Sequence, residues 1–298
     1  MRPAGPGAAG TIRLPMPERD RLPLRILVKG ASTVVYTSWM SGPRTDLAWP
    51  RVIERELYAA GYPAEVRCEA HPSEPTRFAV GTWVDEVLTW SPDVIVLHYG
   101  HQETIHVFLP RLLERHANSL NTRPGPIRGF YRKRVIRPFW RGLAHVQSVV
   151  DNALPHNLLA YKRRHVAAEL ERYINRVRTV ASPLILVPDI PPPGRAYDRW
   201  FPGMADRVLA MNETLRELVA KLDEPDIRMF SIRDAIDPLV PEGEDAAPDG
   251  GHLTPPLHQA VGQGMADVIV EWAAKQKHLD LDEARAGQAE RARHRWQA

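Results

Sequence analysis

The chain has 298 residues, enough for one large domain or two small ones, and 39 Lys plus Arg against 36 Asp plus Glu give a formal net charge of +3. So weak a basic excess argues against a nucleic-acid binder, and the single cysteine, Cys68, excludes an internal disulfide and a cysteine-based zinc site. No apolar run approaches the ~18 residues of a membrane span. The first residues also lack the apolar core of a secretory signal, so a cytoplasmic location is expected.

Five short apolar runs predict buried strands, and most of the segments between them carry apolar residues at helical spacing. The predicted strands cover residues 24–28, 64–68, 93–98, 183–188 and 227–232. The predicted helices cover residues 46–60, 78–90, 156–178, 204–222 and 257–273. Short strands alternating with amphipathic helices are typical of βαβ units, so the sequence predicts an α/β fold with a parallel sheet.

The chain between the third and fourth predicted strands is too long for a single crossover helix. Residues 121–141 are rich in Pro and Arg, and the long helix that follows is highly charged. This pattern predicts a helical basic insertion at about residues 120–178. The ends are different in character, because residues 1–22 are rich in Pro and Gly and residues 276–298 contain few apolar side chains. We therefore expect a flexible arm, one domain over residues 23–275, and a charged tail.

Polar residues follow three of the predicted strands, at the edge where an open parallel sheet forms its ligand site. Ser32 follows the first strand, Gln102 follows the third, and a loop with Asp249 and His252 comes after the fifth. A serine hydroxyl is a weak nucleophile until a base such as histidine takes its proton, and a carboxylate can hold the imidazole in the required tautomer. The residues predict nucleophilic catalysis. The structural alternative is a helix-capping serine beside an ordinary turn.

Three short motifs, in this order along the chain, resemble those of the SGNH (GDSL-type) hydrolase superfamily. Residues 30–32 (Gly-Ala-Ser) resemble its first block, with Ala in place of the usual Asp. Residues 100–103 (Gly-His-Gln-Glu) stand where the family has Gly-x-Asn-Asp, and residues 249–254 (Asp-Gly-Gly-His-Leu-Thr) closely match its last block. The resemblance covers residues 24 to 274. It implies a flavodoxin-like, three-layer α/β/α sandwich with a five-stranded parallel sheet.

The resemblance also implies roles for individual residues. Ser32 would be the nucleophile, with Asp249 and His252 completing a catalytic triad. Gln102 would replace the asparagine that binds the oxyanion, with Gly100 beside it. Glutamine carries the same amide as asparagine, but its side chain is one methylene longer. The chain also departs from the family over residues 69–76, which contain no glycine. The second oxyanion donor would then be another backbone N–H, such as that of Ser73.

A basic cluster in the predicted insertion is interleaved with aromatic residues. Within it, Arg132, Lys133 and Arg134 are candidate contacts for an anionic substrate, because the planar guanidinium suits phosphate and carboxylate groups. A solvated face and a membrane surface are the alternatives. His98, His101 and His106 lack the acidic support expected of a metal site, so no metal or organic cofactor is predicted.

Three hypotheses for function follow from these residues. The first is a serine-dependent acyl-ester hydrolase that works through an acyl-enzyme on Ser32. The second is an acyltransferase that uses the same residues to move an acyl group to a sugar or another hydroxyl. The third is a non-catalytic relative that binds its ligand, in view of the altered oxyanion blocks. The expected partner is a small-molecule acyl ester or acyl donor, with no role for nucleic acid.

Overall fold

A computed structural model describes residues 21–38, 46–72, 74–105, 116, 125–153 and 157–279. Its centre is a sheet of five strands, all parallel, in the order β2-β1-β3-β4-β5. The strands are β1 (Leu24–Gly30), β2 (Ala64–Ala70), β3 (Val94–His98), β4 (Leu184–Pro188) and β5 (Ile227–Phe230). The predicted five-stranded parallel sheet is therefore confirmed.

Helices and helical turns connect and cover the strands. The α-helices are α1 (Ser32–Val35), α2 (Trp49–Ala59), α3 (Arg77–Gly81), α4 (His101–Ile105), α5 (Pro126–Tyr131), α6 (Arg137–Ala153), α7 (Asn157–Arg178), α8 (Arg195–Trp200), α9 (Met204–Leu222), α10 (Ile232–Ile236) and α11 (Pro255–Ala273). The π-helical turns are Val84–Leu88 and Arg132–Ile136, and the 3-10 turns are Asp237–Leu239 and Lys277–Leu279. None of the helices in the described residues is long and apolar enough to cross a membrane.

The sheet lies between two helical layers, each with its own apolar core. Successive side chains of a strand point to opposite faces. Accordingly Ile26 and Val28 of β1 pack in the cluster that includes α2 and α11, whereas Leu27 packs with α7 and α9. Every residue of β3 and β4 is buried, which explains why these strands are almost continuous apolar runs in the sequence. The three-layer α/β/α sandwich is confirmed.

The predicted helix over residues 78–90 is interrupted. The α-helix ends at Gly81, and a π-helical turn begins at Val84. Glycine is a weak helix former because it loses more backbone freedom than any other residue, which accounts for the break at this position.

The packed domain extends slightly beyond the expected boundaries. The backbone N–H of Leu22 donates to the carbonyl oxygen of Leu279 at 3.0 Å, and Leu279 is buried in the core cluster of α11. Residues 1–20 and 280–298, which contain most of the expected arm and tail, lie outside the described residues.

The long helix α7 has two different halves. Its second half carries the apolar stripe Val166, Leu170, Ile174 and Val177, which is fully buried against the sheet. Its first described side chains, from Tyr161 to His165, are exposed or half-buried. The second half is thus the crossover helix that every parallel connection needs, and the extra segment lies before it.

Helices α2 and α11 are in close contact at Gly262. A Cβ atom at this position would lie 2.4 Å from Cβ of Val52 and 2.9 Å from the carbonyl oxygen of Trp49. We expect Gly262→Ala to lower the free energy of unfolding by about 1–3 kcal/mol, because the two helices must move apart. Urea denaturation would measure the change.

Gly142 of α6 is a matched control, since a Cβ atom there meets nothing within 4 Å. Gly142→Ala should leave stability unchanged or raise it by up to about 1 kcal/mol, as alanine favours the helix. Equal effects of the two alanine variants would contradict the close packing at Gly262.

Candidate active site

Ser32 lies at the carboxyl end of β1, where the chain turns directly into α1. A Cβ atom on Gly30 would lie 2.6 Å from Cγ2 of Val34 and 2.8 Å from the carbonyl oxygen of His98. Only glycine fits so tight a passage without a shift of its neighbours. Ser32 is the first residue of α1, so its backbone N–H has no acceptor within the helix.

The three predicted triad residues form a continuous hydrogen-bonded chain. Oγ of Ser32 lies 3.1 Å from Nε2 of His252, and Nδ1 of His252 lies 2.8 Å from Oδ2 of Asp249. The network assigns the proton of a neutral imidazole to Nδ1, which donates to the carboxylate, and leaves Nε2 to accept from the hydroxyl. The His252 side chain is 16% exposed. The arrangement allows the hydroxyl proton of Ser32 to pass to an oriented base.

The Asp249 carboxylate is held in its ionised form by its own loop. Oδ1 of Asp249 accepts from the backbone N–H of Gly251 at 3.0 Å and from that of His252 at 2.9 Å. Partial burial raises the pKa of Asp249, but the hydrogen bond and charge of His252 and these backbone donors outweigh it, and the net pKa shift is downward. The negative charge opposite Nδ1 is therefore maintained.

The ring of Tyr197 in α8 packs against the same loop. The sequence did not point to this residue. A Cβ atom on Gly250 would lie 2.0 Å from Cδ1 of Tyr197, and one on Gly251 would lie 2.7 Å from Cε2. Burial and the charge of Asp249 raise the pKa of Tyr197 to about 12, so the ring stays neutral. The two adjacent glycines indicated that some group approaches this loop closely, but they did not identify it.

His258 of α11 is a second residue that the sequence analysis missed. Its Nε2 donates to the carbonyl oxygen of Tyr36 at 3.0 Å, and its Nδ1 accepts from the backbone N–H of Trp49 at 3.3 Å. Burial, with the nearby charge of His252, lowers the pKa of His258 to about 4. The neutral ring thus joins α11 to the segment after Ser32 and to the start of α2.

Gln102 lies on α4, immediately after the neighbouring strand β3. Gly100 makes the turn into this helix with a φ of +101°, a conformation that favours glycine. Gln102 is half-buried. Arg207 of α9 holds the helix in place, because its Nε donates to the carbonyl oxygen of Thr104 at 2.7 Å. Since Gly30 of β1 pairs with His98 of β3, α4 begins beside the loop that carries Ser32.

His101 is the first residue of α4 and lies near Tyr197. Its side chain is buried, and its ring is 6.4 Å from that of Tyr197. Burial and the charges of His98 and His252 lower the pKa of His101 to about 3, so this ring is neutral. The neighbourhood of His252 therefore adds no competing positive charge from His101 or His258.

The loop that stands in place of the second block is tied to α4. Oε1 of the half-buried Glu103 accepts from the backbone N–H of Thr76 at 2.8 Å, and desolvation raises the pKa of Glu103. The N–H of His71 donates to the carbonyl oxygen of Gly30 at 3.2 Å, which brings this loop to the end of β1. Ser73, the suggested second oxyanion donor, lies outside the described residues.

The basic candidate residues lie on the protein surface, and His98 contacts a threonine. Arg132, Lys133 and Arg134 are exposed in the π-helical turn between α5 and α6. Nδ1 of His98 lies 3.2 Å from Oγ1 of Thr33, and His106 is outside the described residues. Within the described part of the chain no three His, Cys, Asp or Glu side chains are grouped as metal ligands would be.

Comparisons with known proteins agree with this fold. A scan against protein-family models and a search of curated proteins found no match. Among solved structures, a carbohydrate acetylesterase family member from Sinorhizobium meliloti is 20% identical, with a TM-score of 0.50 over 83% of this chain and 97% of that one. A lipase/acylhydrolase from Enterococcus faecalis is 14% identical, with a TM-score of 0.51 over 83% and 95% of the two chains.

A family 3 carbohydrate esterase from Clostridium thermocellum is a further structural neighbour. It is 13% identical and has a TM-score of 0.51, and the match covers 86% of this chain and 100% of that one. At such identities the likeness concerns the fold alone. The chain has an SGNH hydrolase-type fold, as its three motifs predict.

Proposed function

We propose that the protein is a serine-dependent acyl-ester hydrolase. One observation carries the proposal: the hydrogen-bonded chain from Ser32 through His252 to Asp249, at the carboxyl edge of a sheet whose solved neighbours include esterases. In a serine-based site the hydroxyl needs a base within about 2.6–3.2 Å, and the base needs an orienting partner. Both conditions hold here.

The proposed reaction proceeds in two halves. Oγ of Ser32 bonds to the ester carbonyl carbon while Nε2 of His252 takes the hydroxyl proton. The bond to the alcohol oxygen then breaks, and His252 gives its proton to the departing alcohol. Water attacks the acyl-Ser32 ester with His252 again as base, which releases the carboxylic acid and restores the serine. Asp249 stabilises the imidazolium in both halves.

The oxyanion would be held by donors on two neighbouring strand ends. We assign the backbone N–H of Ser32 and the side-chain amide of Gln102, with Gly100 shaping the turn beside them. The support is positional, because β1 and β3 are adjacent and Arg207 fixes the helix that carries Gln102. Each such donor typically contributes a factor of about 10²–10³ to the rate. The longer side chain of Gln102 must therefore bring its amide to the oxyanion for full turnover.

The substrate we propose is a small-molecule acyl ester. The structural neighbours include a carbohydrate acetylesterase family member and a lipase/acylhydrolase, so short acyl groups on a hydroxyl compound are the first to test. An anionic group on the substrate is supported by Arg132, Lys133 and Arg134, which carry the forked or point charges that bind phosphate and carboxylate.

Hydrolysis of p-nitrophenyl acetate, butyrate and octanoate tests the proposal. We expect steady release of p-nitrophenol from at least the short esters in buffer alone, and loss of this release in His252→Ala because Ser32 then has no base. Release that requires an added sugar hydroxyl would instead establish an acyltransferase. No turnover of any ester, with intact folding by circular dichroism, would indicate a binding protein.

A further inference from the structure

The segment from Pro126 to Ala153 forms one helical rod with little cover from the rest of the chain. It consists of α5, the π-helical turn and α6, and the residues at both junctions have helical backbone angles. At about 1.5 Å per residue its length is roughly 42 Å. None of its described side chains is buried. Ile127 is 83% exposed, Phe130 66% and Phe139 51%.

The exposed apolar residues of this rod form a stripe. Ile127, Tyr131, Val135 and Phe139 follow at intervals of four, and Val146 comes seven residues after Phe139, which is about two helical turns. In a regular α-helix residues four apart drift by about 40° around the axis. The π-helical turn is wider and reverses that drift. The stripe therefore stays on one side along the rod, where a packed helix would bury it.

The same rod concentrates positive charge in a chain that is otherwise balanced. It contains one acidic residue, Asp151, against a set of basic residues. The basic residues are Arg128, Arg132, Lys133, Arg134, Arg137 and Arg141. A surface that offers both apolar side chains and this charge complements a partner with negative charges above an apolar layer.

We propose that the rod over residues 126–153 binds the surface of an anionic phospholipid bilayer. An amphipathic helix with basic residues on its polar face lies in the plane of the interface, with its apolar stripe at the boundary of the acyl chains. Lys and Arg side chains extend from there to the phosphates. A bilayer offers both features at once along the whole rod, because its phosphates lie directly above an apolar layer.

The rod is attached to the domain at the carboxyl edge of the sheet. The segment leaves the domain after α4, which follows the carboxyl end of β3, and returns through α7, which leads into the amino end of β4. Because a crossover helix runs opposite to its strands, α7 begins at the carboxyl edge of the sheet. Ser32 lies at the same edge, so the rod is inserted into the chain on the side of the sheet that carries the candidate active site.

Vesicle sedimentation with the full chain tests the proposal. Vesicles of phosphatidylcholine alone are compared with vesicles containing phosphatidylglycerol, at low and at high salt. We expect the protein to sediment with the anionic vesicles and to be released as salt screens the charges. In the triple variant Lys133→Glu, Arg134→Glu and Arg137→Glu, affinity should fall roughly hundredfold or more.

A second triple variant controls for net charge. Arg216→Glu, Arg233→Glu and Lys275→Glu change the formal charge equally, at exposed positions in α9, in α10 and just after α11. We expect this variant to bind anionic vesicles like the wild type. If both triple variants lost vesicle binding equally, net charge alone would explain the binding, and the proposal would be wrong.

The apolar stripe has its own test. Ile127→Ser combined with Phe139→Ser should weaken binding to anionic vesicles about tenfold or more at every salt concentration, with hydrolysis of p-nitrophenyl acetate unchanged. That activity readout separates this inference from the proposed function. Absence of vesicle binding by the wild type, or a dimer in light scattering that these two substitutions dissociate, would refute bilayer binding.

Discussion

Ser32→Ala is expected to lower kcat for p-nitrophenyl ester hydrolysis by about 10⁶-fold, close to complete loss. The proposed reaction forms its covalent bond through Oγ of Ser32, and the structure places this atom 3.1 Å from Nε2 of His252. Alanine removes the nucleophile and leaves the turn at Gly30 and the helix α1 unchanged. The remaining rate would come from binding and from the oxyanion donors alone. Stopped assays at high enzyme concentration would measure it.

A fluorophosphonate probe checks the same residue without a substrate, because it labels only an activated serine. The wild type should be labelled and Ser32→Ala should not. Ser38→Ala is the matched control, since Oγ of Ser38 is buried without a hydrogen-bond partner among the described residues and lies on the same segment. Ser38→Ala should keep both labelling and turnover. Labelling of Ser32→Ala at the wild-type level would exclude Ser32 as the nucleophile.

Local patterns predicted most of the fold, because they record which surfaces are buried. The strands β3 and β4 are buried on both faces and are apolar throughout, so they were found to within a residue. Helix α9 was found with its full range, since it presents one apolar stripe between a glycine and an aspartate. The helix over residues 78–90 was predicted with only a weak interruption at Gly81, because periodicity does not report whether a glycine ends a helix; the structure ends the α-helix there.

The candidate site was predictable only where its residues belong to short motifs. Asp249 and His252 lie in one loop, and the structure places them within hydrogen-bond distance of each other. The supports of that loop come from distant parts of the chain. His258 binds the backbone at Tyr36 and Trp49, more than 200 residues earlier, and no local pattern encodes such a contact. Tyr197 was missed for the same reason, although the glycines beside it were visible.

Asp249→Asn is expected to lower kcat by about 10⁴-fold with the folded structure retained. The carboxylate accepts from Nδ1–H of His252 at 2.8 Å, and this bond leaves Nε2 free to accept the proton of Ser32. An amide can instead turn its N–H₂ group toward Nδ1, which favours the tautomer with the proton on Nε2. That tautomer cannot act as a base toward Ser32, and the imidazolium also loses its counter-charge.

The loop offers a matched control for Asp249→Asn. Oδ2 of Asp245 accepts from the backbone N–H of Arg195 at 3.0 Å, and an asparagine keeps an oxygen for that bond. Asp245→Asn should therefore retain turnover within a few-fold, although it makes the same chemical change four positions away. Steady-state rates on p-nitrophenyl acetate measure both variants. If Asp249→Asn loses less than tenfold, the pair formed with His252 serves the loop's structure, and the base must be oriented by other contacts, such as the ring of Tyr36 at 5.4 Å.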